Sequence, residues 1–206
     1  MAYDYDCESL KAHPVPRWFD DAKFGIFIHW GPYSVPAYTP GGKGYAEWLP
    51  REMYASPELY NPRLEAMFGG VPPEFGYKDI IPHFKAERWD PGQWAELFQE
   101  AGARYVVLTA EHHDGYALWD SQLTPWCATK VGPMRDLVGE LGRAVRRHGI
   151  KYAPSYHRER HPGFFAEHCY TPVCQPRPTS RAEIERVPEA AALYGPLDYG
   201  TVLVAD

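Results

Sequence analysis

The sequence predicts an α/β protein, a partial (β/α)8, TIM-like barrel holding about the first three to four β/α units. Three observations predict it. Short, nearly continuous apolar runs recur at 24–30, 104–110 and 150–156, the form of strands buried on both faces of a parallel sheet. Helical patterns at 91–101 and 134–148 precede the second and third runs, and this alternation is the mark of β/α architecture. The first run ends in His29-Trp30-Gly31-Pro32, whereas an open doubly wound sheet would show a Gly-rich phosphate turn there. A complete barrel takes ~250 residues or more, so a chain of 206 residues is expected to be one incomplete domain spanning 1–206.

Each element has a local reason. Phe24 to Trp30 is rich in Phe and Ile and reads as the first strand. Residues 31–82 are dense in Pro, Gly and Tyr and read as a long loop with one helical piece at 46–54; loops of that length are usually functional. In the next segment Asp90 can cap a helix, Pro91 suits its first position and Gly102 ends it, with Trp94, Leu97, Phe98 and Ala101 on one face. The second strand runs into Glu111-His112-His113-Asp114-Gly115. The helix at 134–148 carries Leu137, Val138, Leu141, Ala144 and Val145, stops at Gly149 and leads into the third strand. A further helix is expected at 181–194, and 169–178 reads as an insertion.

Composition excludes several functions. A net charge of −6 with no basic cluster beyond 143–147 argues against a nucleic-acid partner. The acidic N-terminus is unlike a signal peptide, and no run approaches a membrane span, so the chain as written is expected to be cytoplasmic, with no membrane partner. Cys7, Cys127, Cys169 and Cys174 are too scattered for a disulfide scaffold or a zinc knuckle and read as free thiols. Seven Trp, fifteen Tyr and nine His suit a sugar cleft, although aromatics fill ordinary cores equally well.

In a β/α barrel the chemistry gathers at the C-terminal strand ends. Those positions carry His29-Trp30, His112-His113-Asp114 and Tyr156-His157. A single such histidine can be an ordinary packed residue; three successive strand ends point to a ligand. Neutral imidazole donates from one nitrogen and accepts at the other, which suits vicinal hydroxyls, and an adjacent indole offers an apolar face. Glu47-Trp48 repeats the pairing of an acid with an aromatic. A metal-dependent barrel hydrolase built on His29, His112, His113 and His157 is a second class. It is disfavoured because adjacent His112 and His113 point to opposite faces of a strand unless a bulge or turn intervenes, so no metal or other cofactor is expected.

The block from Lys23 to Pro36, then Glu47-Trp48, then Ala101 to Tyr116, then Gly132-Pro133-Met134-Arg135-Asp136 resembles the N-terminal catalytic-domain motifs of glycoside hydrolase family 29, the α-L-fucosidases. The resemblance spans about residues 17–160. It implies a barrel that hydrolyses terminal α-L-fucose from oligosaccharides or glycoconjugates with retention, through a covalent fucosyl-enzyme; a secreted or lysosomal location is open to a full-length relative. It also implies that His29, Glu47, Trp48, His112, His113 and Tyr156 contact fucose, with Glu47 a candidate acid/base. Retention needs two carboxyl groups ~5 Å apart. The family's nucleophile is an Asp in a Trp-x-Asp segment ending the fourth strand, and none follows the third strand before Asp206, so the chain is expected to stop short of it and to be inactive alone. Residues Tyr156 to His161 depart from the Tyr-Ser-rich strand end of better-known members. A non-catalytic fucose-binding fragment is a third class.

Overall fold

The computed structural model describes residues 7–42, 44–72 and 74–157. Two short helices, α1 (Cys7–Lys11) and α2 (Arg17–Ala22), lead into β1 (Gly25–Ile28). Helices α3 (Leu49–Ala55), α4 (Pro57–Phe68), α5 (Tyr77–Ile80) and α6 (Pro91–Glu100) separate it from β2 (Tyr105–Glu111). Helix α7 (Leu137–Arg147) then precedes β3 (Lys151–Tyr156). The three strands form one parallel sheet in the order β1-β2-β3, as parallel pairing through long helical crossovers requires. The fold is therefore α/β, with all three expected strands present. The helix expected at 181–194, the segment 169–178, Cys169 and Cys174 lie outside the described residues. Cys7 and Cys127 are free thiols. Among the described residues no helix is long and apolar enough to cross a membrane.

Helix α6 starts where the sequence places it: the Asp90 carboxylate accepts from the Gln93 N–H at 3.0 Å, and Pro91 follows the cap. Helix α7 starts three residues later than expected. Met134 has φ +58°, a left-handed value that no α-helix admits, and Asp136 caps the helix by accepting from the Gly139 N–H at 2.8 Å. From there Leu137, Leu141, Ala144 and Val145 recur at helical spacing and are buried, packing α7 on β2, β3 and α6.

Residues 31–82 are largely helical rather than a loop. Proline misleads here. Pro50 and Pro57 sit in the first turns of α3 and α4, where a missing N–H costs no hydrogen bond, and among the described residues of this stretch only Pro62 lies inside an α-helix. These helices bury Leu49, Met53, Tyr54, Tyr60 and Leu64 in the same core as Val106 and Leu108 of β2.

The sheet has two unlike faces. Ile26, Ile28, Val106, Leu108 and Tyr152 face the helices and join the core, while Phe27 on the other face is exposed. At the start of β1 the Tyr105 ring lies over Gly25: a Cβ there would stand 2.2 Å from it, so a larger residue fits only if that ring moves away. The Tyr105 ring in turn packs against Phe19 and Trp18, with centroids 5.8 and 6.2 Å away.

Candidate functional site

The site is organised by an irregularity in β2. Pairing with β3 is regular from Tyr105↔Lys151 to Thr109↔Ser155, then skips Ala110, so that Glu111 pairs with Tyr156. Ala110 is the extra residue of a β-bulge, and its carbonyl accepts from the Leu118 N–H at 2.8 Å instead. A one-residue slip reverses the facing of everything after it. Glu111 thereby shares the face of Tyr156 and is buried, and the next position, His112, turns to meet His29 and His157. In an unbulged strand Glu111 would have occupied that place.

The rings gather closely. His29 stands 5.5 Å from both His112 and His157, and His112 stands 4.6 Å from His157, centroid to centroid. His113 joins them because the chain turns: the Gly115 N–H donates to the His112 carbonyl at 3.2 Å, and the His113 ring lies 4.6 Å from His112 and 5.5 Å from His157. The adjacent histidines thus converge, through the bulge and turn whose absence would have separated them. His29 is exposed and His112 buried, so the cluster has an open side and a fixed side.

Behind the rings lies a buried polar frame. The Tyr33 ring packs 5.8 Å from His112. Burial, reinforced by the negative charge of Asp114 and then of Glu47, holds the Tyr33 phenol well above its ordinary pKa. Glu47 sits on a separate turn (Ala46–Trp48) that packs against the Pro32–Ser34 turn carrying Tyr33. Asp114 is 1% exposed, accepts from the Tyr77 hydroxyl at 2.7 Å and from the Tyr116 N–H at 3.1 Å, and so anchors the His112–Gly115 turn to α5. Burial and Asp114 keep the Tyr77 phenol protonated, the state in which it donates. The Tyr77 N–H in turn donates to the Tyr54 hydroxyl at 2.9 Å.

Of the residues singled out in the sequence, His29, His112 and His113 come together, while Glu47 lies on the turn next to that of Tyr33. Trp48, half-buried, packs its ring 5.2 Å from Tyr45, with the Arg51 guanidinium 6.0 Å away. Tyr156 is half exposed and its ring lies 5.8 Å from Trp119, while its neighbour His157 joins the histidines. Trp30 does not offer its face to the cluster: it stacks on Trp89 at 5.1 Å and meets Trp94 at 5.4 Å and Phe84 at 5.0 Å, on the helix side. The alternation of side chains along β1 explains this, since His29 and Trp30 are neighbours and must diverge. Sequence reasoning missed Tyr33 and Tyr77. Tyr33 lies two residues beyond Gly31 in the motif and could have been suspected; Tyr77 has no local signal, because its partner is 37 residues away in the chain.

Fold and cluster together define a β/α protein whose parallel strand ends carry an imidazole-rich site. The α-L-fucosidase family profile matches residues 1–186, and the chain belongs to that family. It is 48% identical over 151 residues to the tissue α-L-fucosidase of Rattus norvegicus, covering 73% of this chain and 31% of that protein. It is 42% identical over 177 residues to the tissue α-L-fucosidase of Homo sapiens, covering 81% of this chain and 36% of that one. Among solved structures it is similar to the Thermotoga maritima α-fucosidase in complex with fucose, with TM-score 0.71 and 36% identity over 90% of this chain and 45% of that chain. The chain thus spans about a third of the length of these curated relatives.

Proposed function

We propose that this chain forms the fucose-recognising part of a retaining α-L-fucosidase, and that its sheet is the opening segment of a (β/α)8 barrel acting on fucosylated oligosaccharides or glycoconjugates. The observation that carries the reading is the convergence of His29, His112, His113 and His157 at the same end of three parallel strands. Each ring can give and take a hydrogen bond, and a neutral sugar with vicinal hydroxyls needs that capacity in several directions at once. Glu47 adds a carboxylate that accepts from a hydroxyl and is the candidate acid/base. Trp48 and Tyr156 are the aromatic residues offered to the sugar from beside the rings, Trp48 from the turn that carries Glu47 and Tyr156 from the residue before His157.

Asp114 is not a nucleophile on this reading. Both its carboxylate oxygens already accept hydrogen bonds from within the frame, and its task is to hold the turn that carries His112 and His113. Hydrolysis with retention requires a second carboxyl group ~5–5.5 Å from the acid/base, which the proposal assigns to the fourth-strand aspartate of the family.

Titration of the chain with L-fucose and with L-rhamnose tests the proposal by calorimetry. L-fucose should bind, L-rhamnose should bind at least about tenfold more weakly, and His112→Ala should weaken L-fucose by a similar factor, since one hydrogen bond left unmade costs ~1–3 kcal/mol. Equal affinity for the two sugars, or L-fucose binding that survives His112→Ala unchanged, would overturn it.

A further inference from the structure

Three of the four histidines do more than line a pocket. One ring nitrogen from each of His29, His112 and His157 lies within 4.8 Å of the other two. Rings spaced to meet the hydroxyls of a sugar can also share a single small cation when their nitrogens come this close. Around a tetrahedral ion, with nitrogens at about 2.0–2.1 Å, ligand atoms stand about 3.4 Å apart, so the trio would have to draw in by side-chain adjustment on binding. His29 is exposed, which gives an ion a side from which to enter. His157 Nε2 meets Ser155 Oγ at 3.1 Å, the kind of outer contact that orients a coordinating imidazole.

We propose that His29, His112 and His157 bind one divalent transition cation of the zinc class, and that this ion and a sugar exclude one another at the strand ends. Only the second half rests on the sugar-binding reading above. An all-imidazole set selects zinc, copper or nickel over magnesium and calcium, which prefer oxygen ligands. The bulge at Ala110 is what makes the site possible: it removes Glu111 from the cluster and substitutes the ring of His112. The ion would act as an inhibitor, since the nitrogens it occupies are those that would meet hydroxyls.

The test is a calorimetric titration of the chelator-stripped full chain with zinc chloride, with magnesium chloride as control. One zinc ion should bind per chain, and magnesium should not. His29→Ala and His157→Gln should each weaken zinc at least about tenfold, with far-UV circular dichroism reporting that each variant keeps its fold. His148→Ala, at the far end of α7 where the ring meets Gln99 Oε1 at 2.8 Å, should leave zinc binding unchanged. No uptake by the unaltered chain, or equal uptake by the unaltered chain and both rim variants, overturns the site. With zinc saturating, the apparent Kd for L-fucose should rise at least about tenfold; L-fucose binding unaffected by zinc overturns the exclusion. L-fucose that fails to bind even without zinc overturns the sugar reading and the exclusion with it, and leaves the metal site standing on the zinc titration.

Discussion

The two sides of the strand ends obey different rules. On the helix-covered face, Ile26, Ile28, Val106 and Leu108 sit where their apolar side chains escape water, and the regular alternation of the strands places them. At the rim, polar rings are drawn together against that alternation, by one extra residue at Ala110 and one turn at His112–Gly115. The core is thus specified by side-chain chemistry, the site by backbone irregularity. What maintains the irregularity is a small set of buried hydrogen bonds around Asp114, so the site should be sensitive to residues that never touch a ligand.

The largest effect should come from the regular side. Leu108→Ala, at a position with no exposure, should cost about 2–5 kcal/mol in urea unfolding; a loss under about 1 kcal/mol would mean that the helices do not pack on the sheet as described. Next is Gly132→Ala. Gly132 has φ +93°, and a Cβ there would lie 2.7 Å from the Phe84 carbonyl oxygen and 2.9 Å from the Tyr116 hydroxyl, so strain and overpacking together should cost about 2–4 kcal/mol. Thermal melts that coincide with the unaltered chain would remove the tight contact from the account.

Asp114→Ala probes the link between frame and rim. It strands the Tyr77 hydroxyl and the Tyr116 N–H in the interior, at a cost of about 1–3 kcal/mol, and it should weaken L-fucose although Asp114 faces inward. Lost stability with full ligand affinity would show that the rim holds itself. The smallest effect on stability belongs to His29→Ala: the ring is exposed, so unfolding should change by no more than about 0.5 kcal/mol while L-fucose affinity falls about tenfold. Reversed results, with stability lost and affinity kept, would make His29 part of the core.

How much was legible follows the same division. Asp90 and Pro91 announced α6 because a capping carboxylate and a proline at the first position act through neighbouring residues alone. The apolar runs announced three strands. The start of α7 was misjudged because Met134 carries a left-handed backbone that its side chain does not advertise. The helices of 31–82 were hidden by prolines whose role depends on which turn of the helix they enter.

By itself the sequence determined the α/β alternation, the positions of the strands and the family motif with its histidines, since each is written in residues close together in the chain; burial on both faces, expected of all three strands, holds for neither β1 nor β3. Only the tertiary structure decided that His112 rather than Glu111 meets His29 and His157, that Trp30 turns to the core, and that Tyr77 holds Asp114. A bulge changes facing without changing composition, and a hydrogen bond across 37 residues leaves no local trace. Such features exist only once the strands have paired and the helices have closed over one side of them.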